Sequence, residues 1–452
     1  MEYLGRFTRF PPLAQVERLN ATAKGSDSGN KRKSLLAFPG VYQERMHTRG
    51  LRMRRVDCRC CGSKRLLRFL DLGKMPLAGG FLANTPEAIA KEQQFQLDVD
   101  VCQDCGLVQI TEVVDPEIMF QDYSFSSSTI APLVKHFEDY AQWLQSNLQP
   151  KSVLEFGCND GVLLAPLTKL GVKAVGIDPS GNITELGRSR GHDIITGYFG
   201  EKTAEDIAES HGRFDVVTGS NVFAHNNEPG KILAGAKKVL NPKGYFCLEV
   251  MYAGDLIESN QWDTLYHEHL TFYSLTSLQT LLNRHGFKVL DAVRIPMHGG
   301  SLRVVATLDQ DAQTREGALR VFAYEKEKKL VDPETWHNFG LFSKKKIDIA
   351  AEVYGALARS KRIWAYGAAG KATMWVNACK MNYLEAVVDA SPLRAGKLMP
   401  GTHTPIVFPD DMKKNPPDHI FVTAWNYAEH IRAKEAWFKG IWSVPLPDLR
   451  FF

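Results

Sequence analysis

The chain has 452 residues, 44% hydrophobic and 23% charged, the composition of a globular protein with room for two or three domains. No stretch approaches the roughly 18 apolar residues of a membrane-spanning helix, and Arg6, Arg9, Pro11 and Pro12 interrupt any signal-peptide core, so a cytoplasmic protein without a membrane partner is expected. The net charge of +4 is uneven: residues 1–55 carry twelve Lys or Arg against four acids, which leaves the body net negative and argues against nucleic acid as a partner.

Residues 1–55 have Ser- and Gly-containing polar stretches and no hydrophobic periodicity. They read as a basic, disordered extension, either a solvated tail or translated upstream sequence with Met46 or Met53 as the start. Five of the eight cysteines follow within residues 58–105. Cys58-Arg59-Cys60-Cys61-Gly62 and Cys102-Gln103-Asp104-Cys105-Gly106 are two Cys-x-x-Cys knuckles, each closed by a Gly that permits a tight turn. Cys58, Cys61, Cys102 and Cys105 suit a tetrahedral Zn²⁺, with Cys60 left over. A closed four-Cys site has no open coordination position, so the metal is expected to be structural. The residues between the knuckles are apolar-rich (Leu66, Leu67, Phe69, Leu70), which weakens a nucleic-acid zinc ribbon.

Residues 151–158 read as a buried strand running into the turn Glu155-Phe156-Gly157-Cys158-Asn159-Asp160-Gly161, with helical spacing over 160–170. A strand at 172–178 ends on Asp178, about twenty residues beyond the first glycine, where an acid meets a ribose diol in a doubly wound sheet. Strands are expected at 214–220 and 244–250, a helix at 229–240, and a final strand pair at 286–293 and 301–308. NAD and S-adenosylmethionine (SAM) both suit this order. The turn lacks the Gly-x-Gly-x-x-Gly pattern that presents N–H groups to a pyrophosphate. Its acids, Glu155 and Asp160, instead favour the sulfonium and ammonium of SAM; the plainer reading is that they cap the next helix.

Thr264-Leu265-Tyr266-His267-Glu268-His269-Leu270 concentrates groups that move protons near neutral pH. The plainer alternative is a helix start with its polar residues in solvent. Asn221 and His225 follow the 214–220 strand and border the cofactor crevice; His225 reads as a SAM contact, a second base or a packed histidine. In His298-Gly299-Gly300-Ser301-Leu302-Arg303 the glycines allow close approach and Arg303 can pair with phosphate. A charged helical stretch at 325–360 precedes a strand at 362–366 and a Gly-containing loop at 367–373. That loop offers N–H groups and Lys371 to a phosphate, or serves packing alone.

In combination, these motifs and Pro400-Gly-Thr402 resemble, over roughly residues 56–445, the sugar 3-C-methyltransferases that act on nucleotide-linked keto-deoxysugars. The resemblance implies an α/β protein with a small zinc module (56–125), a central Rossmann-like SAM methyltransferase domain (126–310) and a C-terminal Rossmann-like α/β domain (311–452) for the nucleotide-sugar. It implies methyl transfer to C3 of a 4-keto-6-deoxyhexose on a nucleoside diphosphate, usually thymidine diphosphate, through an enolate. His269 would be the base, Glu268 its orienting partner or itself the proton acceptor, and Tyr266 the donor to the enolate oxygen. Tyr123, in Gln121-Asp-Tyr-Ser-Phe-Ser126, matches a second tyrosine that approaches the sugar. Cofactor contacts would be Glu155, Gly157, Asn159, Asp160, Gly161, Asp178, Asn221 and His225. Substrate contacts would be His298, Gly300, Ser301, Arg303 and Lys371. The chain departs from the family in Tyr366-Gly-Ala-Ala-Gly-Lys371-Ala-Thr373, which replaces Gly-Ala-Pro-Ala-Lys-Gly, and in Cys158 where Ser is commoner. Rival functions are an O- or N-methyltransferase and a non-catalytic SAM or nucleotide-sugar binder; the oligomeric state, monomer or dimer, is open.

Overall fold

In the computed structural model, residues 52–120 and 126–452 are described; Tyr123 and residues 1–51 lie outside them. Strand β1 (Arg52–Arg54) pairs antiparallel with β5 (Glu112–Val114). This corrects the expected extension, which ran to residue 55: Arg54 reaches the buried carboxylate of Asp98 at 3.5 Å, and the strand pairing satisfies the backbone groups. Between them lie β2 (Leu66–Pro76), β3 (Gln94–Cys102) and β4 (Val108–Ile110), an antiparallel run. Along β3, Leu97, Val99 and Val101 are buried on one face, while Asp98 and Asp100 on the other meet Arg68 at 2.7 and 3.3 Å.

The central sheet is built from β6 (Ser152–Phe156), β7 (Lys173–Asp178), β8 (Asp193–Thr196), β9 (Phe214–Ser220) and β10 (Leu240–Met251), all parallel. Strand β11 (Thr271–Phe272) leaves this sheet, and β12 (Lys288–Ile295) with β13 (Ser301–Thr307) closes it antiparallel in the order β12-β13-β10-β9-β6-β7-β8. Val153, Leu154, Phe156, Val216 and Val217 are fully covered, as parallel strands with helices on both faces require. The helix expected from 160 begins only at Leu164, because Gly157, Asn159 and Gly161 all take left-handed φ in the turn before it. Strand order reverses between β6 and β9, so the loops after these strands flank a crevice at their C-terminal ends.

The charged stretch expected as one helix is two, Glu316–Glu327 and Pro333–Leu357; Asp332 caps the second through Glu334 N, with Pro333 at its first turn. A second sheet follows: β14 (Ile363–Tyr366), β15 (Val387–Val388), β16 (Ile406–Val407), β17 (His419–Val422), β18 (Ile441–Val444) and β19 (Arg450–Phe451). Its order, β16-β15-β14-β17-β18-β19, reverses at β14/β17, which brings the loops after residues 366 and 422 to one edge. The Gly-containing loop is shorter than expected, since the helix Gly370–Ala378 starts inside it. Strand β11 joins the first sheet beside β4, with Thr271 opposite Gln109 and Phe272 opposite Val108. Among the described residues, no helix is long and apolar enough to cross a membrane.

Candidate active site and cofactor cradle

The ligand atoms of Cys58, Cys61, Cys102 and Cys105 all lie within 4.8 Å of one another, with Cys58–Cys105 and Cys61–Cys102 at 3.5 Å. A tetrahedron of Zn–S bonds about 2.3 Å long sets its sulfurs about 3.8 Å apart, so the four thiols fit structural Zn²⁺. Cys60 is buried outside this set, where burial pushes its thiol pKa up. Its carbonyl accepts from Arg284 at 2.8 Å, and Arg59 donates to the Ile110 carbonyl at 2.8 Å. The knuckle is thereby tied to the central domain and to β4.

In the turn after β6, Gly157 has φ +67°, and a Cβ there would lie 2.5 Å from Val222 Cγ2. Asp178, at the end of β7, accepts Asn159 N at 3.0 Å and Ser180 N at 2.9 Å, which presets its carboxylate at the crevice. Glu155 is buried, and its Oε2 has no hydrogen-bond partner. Burial, then the Asp178, Glu249 and Asp160 carboxylates, hold its pKa well above the ordinary range. A bound cation offsets both effects, so this acidic crevice fits the sulfonium and ammonium of SAM. Asn221 adds a buried Oδ1 without a partner, at a residue with φ +55° whose N–H donates to the Glu249 carbonyl at 2.8 Å. Asp160 departs from expectation. Its carboxylate takes Ser126 Oγ at 2.6 Å, Ser128 N at 3.3 Å and Arg190 at 3.1 Å, and so anchors the turn Ser127–Thr129. Burial opposes its ionisation, but Ser126, Ser128 and Arg190 outweigh it and hold its pKa below the usual value. Gly161 closes the turn, its N–H on the Cys158 carbonyl at 3.0 Å.

Residues 265–270 are not a helix start; they run as a loop from the short turn Trp262–Thr264 into β11, with Leu265, His267 and Leu270 buried. His269 Nδ1 lies 2.8 Å from the Thr264 carbonyl. A carbonyl only accepts, so Nδ1 carries the proton and Nε2 keeps its lone pair. The ring of His269 lies 4.0 Å from that of Tyr266 and 5.1 Å from that of His225. Burial, then His225, then His298 and Lys371, push the His269 pKa well below 6.5, against the opposing Thr264 carbonyl. The imidazole is therefore in its basic form at neutral pH. Burial lowers His225 to about 4, against backbone groups of Asn221 and Glu268. Glu268 is half-buried; its Oε1 accepts Gly79 N at 3.0 Å, and burial raises its pKa. His267 is a packed core histidine: Nε2 donates to the Gln96 carbonyl at 3.2 Å, and the ring meets Phe95 edge-on.

The C-terminal sheet supplies the opposite wall. A Cβ on Gly370 would lie 2.9 Å from Tyr266 Cζ and 3.0 Å from its hydroxyl, so glycine lets the ring press on the start of this helix. Lys371 comes next, its Nζ buried without a hydrogen-bond partner and 4.2 Å from the Trp425 ring centre. Trp375 and Trp425 both donate to Asp263 Oδ2, at 2.9 and 2.8 Å. His298, at a left-handed φ of +56°, shares this pocket; burial, then Lys371 and His136, lower it to about 4.

Two expected substrate contacts are turned elsewhere. Arg303 binds Glu249 Oε1 through two nitrogens at 2.8 and 2.6 Å and stacks over Tyr140 and Trp143, which leaves a buried, already paired guanidinium rather than a phosphate ligand. Ser301 Oγ donates to the Met297 carbonyl at 3.1 Å and closes the turn that includes Gly300. The sequence reading missed His136, whose Nε2 meets Glu249 Oε2 at 2.8 Å, and also Glu249, Asp263 and Trp425. Glu249 had a legible signal: it is a lone carboxylate inside the apolar run Phe246-Cys247-Leu248-Glu249-Val250.

The chain is similar to known proteins along most of its length. A C-methyltransferase C-terminal domain family matches residues 296–447, a methyltransferase domain 133–292 and a zinc-binding domain 58–120. C-methyltransferase NovU of Streptomyces niveus is 32% identical over 404 residues, 87% of this chain and 96% of that protein. The ubiquinone biosynthesis O-methyltransferase of Azorhizobium caulinodans is 32% identical over 120 residues, 26% of this chain and 47% of that protein. Among solved structures, the SAM-bound magnesium protoporphyrin IX methyltransferase of Synechocystis PCC 6803 covers 38% of this chain and 78% of its own, at 16% identity and a TM-score of 0.29. With the NovU similarity running across the zinc, methyltransferase and C-terminal regions alike, the chain belongs to the family of SAM-dependent C-methyltransferases that its motifs resemble.

Proposed function

We propose that this enzyme methylates C3 of a 4-keto-6-deoxyhexose carried on a nucleoside diphosphate, thymidine diphosphate by preference, in the cytoplasm. The observation that carries the reading is His269, oriented by the Thr264 carbonyl so that Nε2 is the basic atom and packed beside Tyr266 and His225. Here carbon becomes nucleophilic only after the proton alpha to the ketone is removed, which demands a positioned base in its unprotonated form. His269 removes the proton, Tyr266 donates to the developing enolate oxygen, and Glu268, held by Gly79, fixes the loop between them. Glu155, Gly157, Asn159, Asp178 and Asn221 would hold SAM, which when bound supplies an electrophilic methyl group. The region 311–452 holds the nucleotide-sugar, with Lys371 and His298 facing the acid/base loop.

Incubation with SAM and a panel of dTDP-4-keto-6-deoxy sugars should give S-adenosylhomocysteine and a C3-branched product, and the C3 proton should exchange with D₂O without SAM. His269→Asn should cut both by about 10²–10⁴-fold while leaving SAM affinity unchanged. Methylation without any C3 exchange would replace this reading with O- or N-methylation.

A further inference from the structure

Lys371 is the one lysine whose buried Nζ lacks a hydrogen-bond partner among the described residues. Desolvating an ammonium without pairing it is costly, so a fold that does this is holding the charge for something that arrives later. Its surroundings show where. The preceding residue, Gly370, abuts the Tyr266 ring, with room for no more than a hydrogen between them. Nζ lies over the Trp425 face at 4.2 Å, and the Trp425 indole is pinned to Asp263, three residues before Tyr266. Asp263 is itself oriented by Trp375 and makes no hydrogen bond to Nζ, so its charge steadies the cation without pairing it. Its charge adds to the burial that depresses His269 and His298, while burial lowers Lys371 itself against the pull of Asp263.

Resting on the function proposed above, we propose that Lys371 is a catalytic residue, the cationic partner of the C4 enolate oxygen, and not a ligand of the diphosphate. In the step it serves, the C3–H bond breaks and its proton goes to His269 Nε2. The bonding pair forms C3=C4, and the carbonyl π pair moves onto the C4 oxygen beside Nζ. When C3 takes the methyl, the pair returns through carbon, the sulfur keeps the S–CH₃ electrons, and the C4 carbonyl re-forms. A diphosphate would present its charge equally in the ground and transition states. An enolate presents it only as C3 is deprotonated, which is where a preorganised cation accelerates reaction.

The test uses Lys371→Met and Lys371→Arg in the full-length, zinc-loaded protein. Lys371→Met should lower SAM-independent C3 exchange and kcat by about 10²–10³-fold. Its Kd for thymidine diphosphate alone should stay within about threefold of the parent, and its Tm should be equal or higher, because an unpaired buried charge has been removed. Lys371→Arg should recover part of the exchange. A tenfold weaker Kd for thymidine diphosphate with kcat retained, or a Lys371→Met protein that unfolds, overturns the assignment. If the parent enzyme exchanges no C3 proton in any sugar, the substrate reading fails and takes this role with it. If the parent exchanges and Lys371→Met exchanges equally well, only the role of Lys371 fails.

Discussion

At the scale of single residues, the same side-chain type does opposite work according to what it faces. Glu155 is buried with an orphan oxygen and a raised pKa, whereas Glu249, equally buried, is held ionised by His136 and Arg303 against the cost of burial. The first awaits a cation, and the second already holds the Arg303 guanidinium beside a histidine ring nitrogen. Arg303→Ala should therefore cost about 3–5 kcal/mol, because it strips the main charge partner from a buried carboxylate. Chemical denaturation measures this, and the double variant Arg303→Met with Glu249→Gln should recover most of the loss, since an amide needs no cation. An equal loss in the double variant would assign the effect to packing on Tyr140 and Trp143 instead. The histidines divide in a similar way. Each neutral ring donates one hydrogen, His267 through Nε2 to Gln96 and His269 through Nδ1 to Thr264; but His267 is fully buried against Phe95, while His269 packs beside Tyr266 and His225.

At the scale of elements, the site forms where segments distant in sequence meet. The helix Gly370–Ala378 presses its first residue on Tyr266, so Gly370→Ala must displace that ring or the helix. Turnover should fall at least about tenfold while Tm changes by no more than about 2 °C, because the new methyl meets one side chain and not the core. Unchanged kinetics would mean the ring yields without consequence. Strand β11 carries a second coupling. It follows the acid/base loop directly and completes the sheet of the zinc module, with Ile110 N on the Leu270 carbonyl at 3.0 Å. Metal analysis should give about one zinc per chain, and Cys102→Ser should abolish tight binding. Hydrogen exchange over residues 265–272 should rise when the metal is removed, and turnover should fall with it. A metal-free enzyme with full activity and a protected loop would break this link between a structural ion and the chemistry.

Over the whole molecule, buried neutral histidines set a pH limit. His225, His267 and His298 are each held near pKa 4, mainly by burial, whereas in an unfolded chain they titrate near 6.5. The unfolded state therefore binds more protons between pH 6.5 and 4, and the stability present above pH 6.5 is lost as pH falls through that window. Thermal unfolding should show Tm dropping by on the order of 10 °C from pH 7 to pH 5; a flat profile would contradict the buried neutral state. Much of the architecture was legible before folding. Spacing alone pointed to the four cysteines that converge, and the apolar run at 214–220 coincides with β9. Glu155 and Asp178, at the ends of the first two strands of the central sheet, also stood out as candidates, the first for a cation and the second for a ribose diol. These features depend on neighbours within a few residues, where periodicity, knuckle spacing and turn chemistry act. What only tertiary structure decided is pairing across long separations: Arg303 with Glu249, Glu268 with Gly79, and Asp263 with Trp425. The packing of Gly370 against Tyr266 and the adoption of β11 by the zinc sheet are of the same kind. No local pattern encodes such contacts, because they arise when three sheets bury their faces together and the chain's charges must find partners inside. The sequence determined which chemistry the chain could hold, and the packing decided which atoms are left free to perform it.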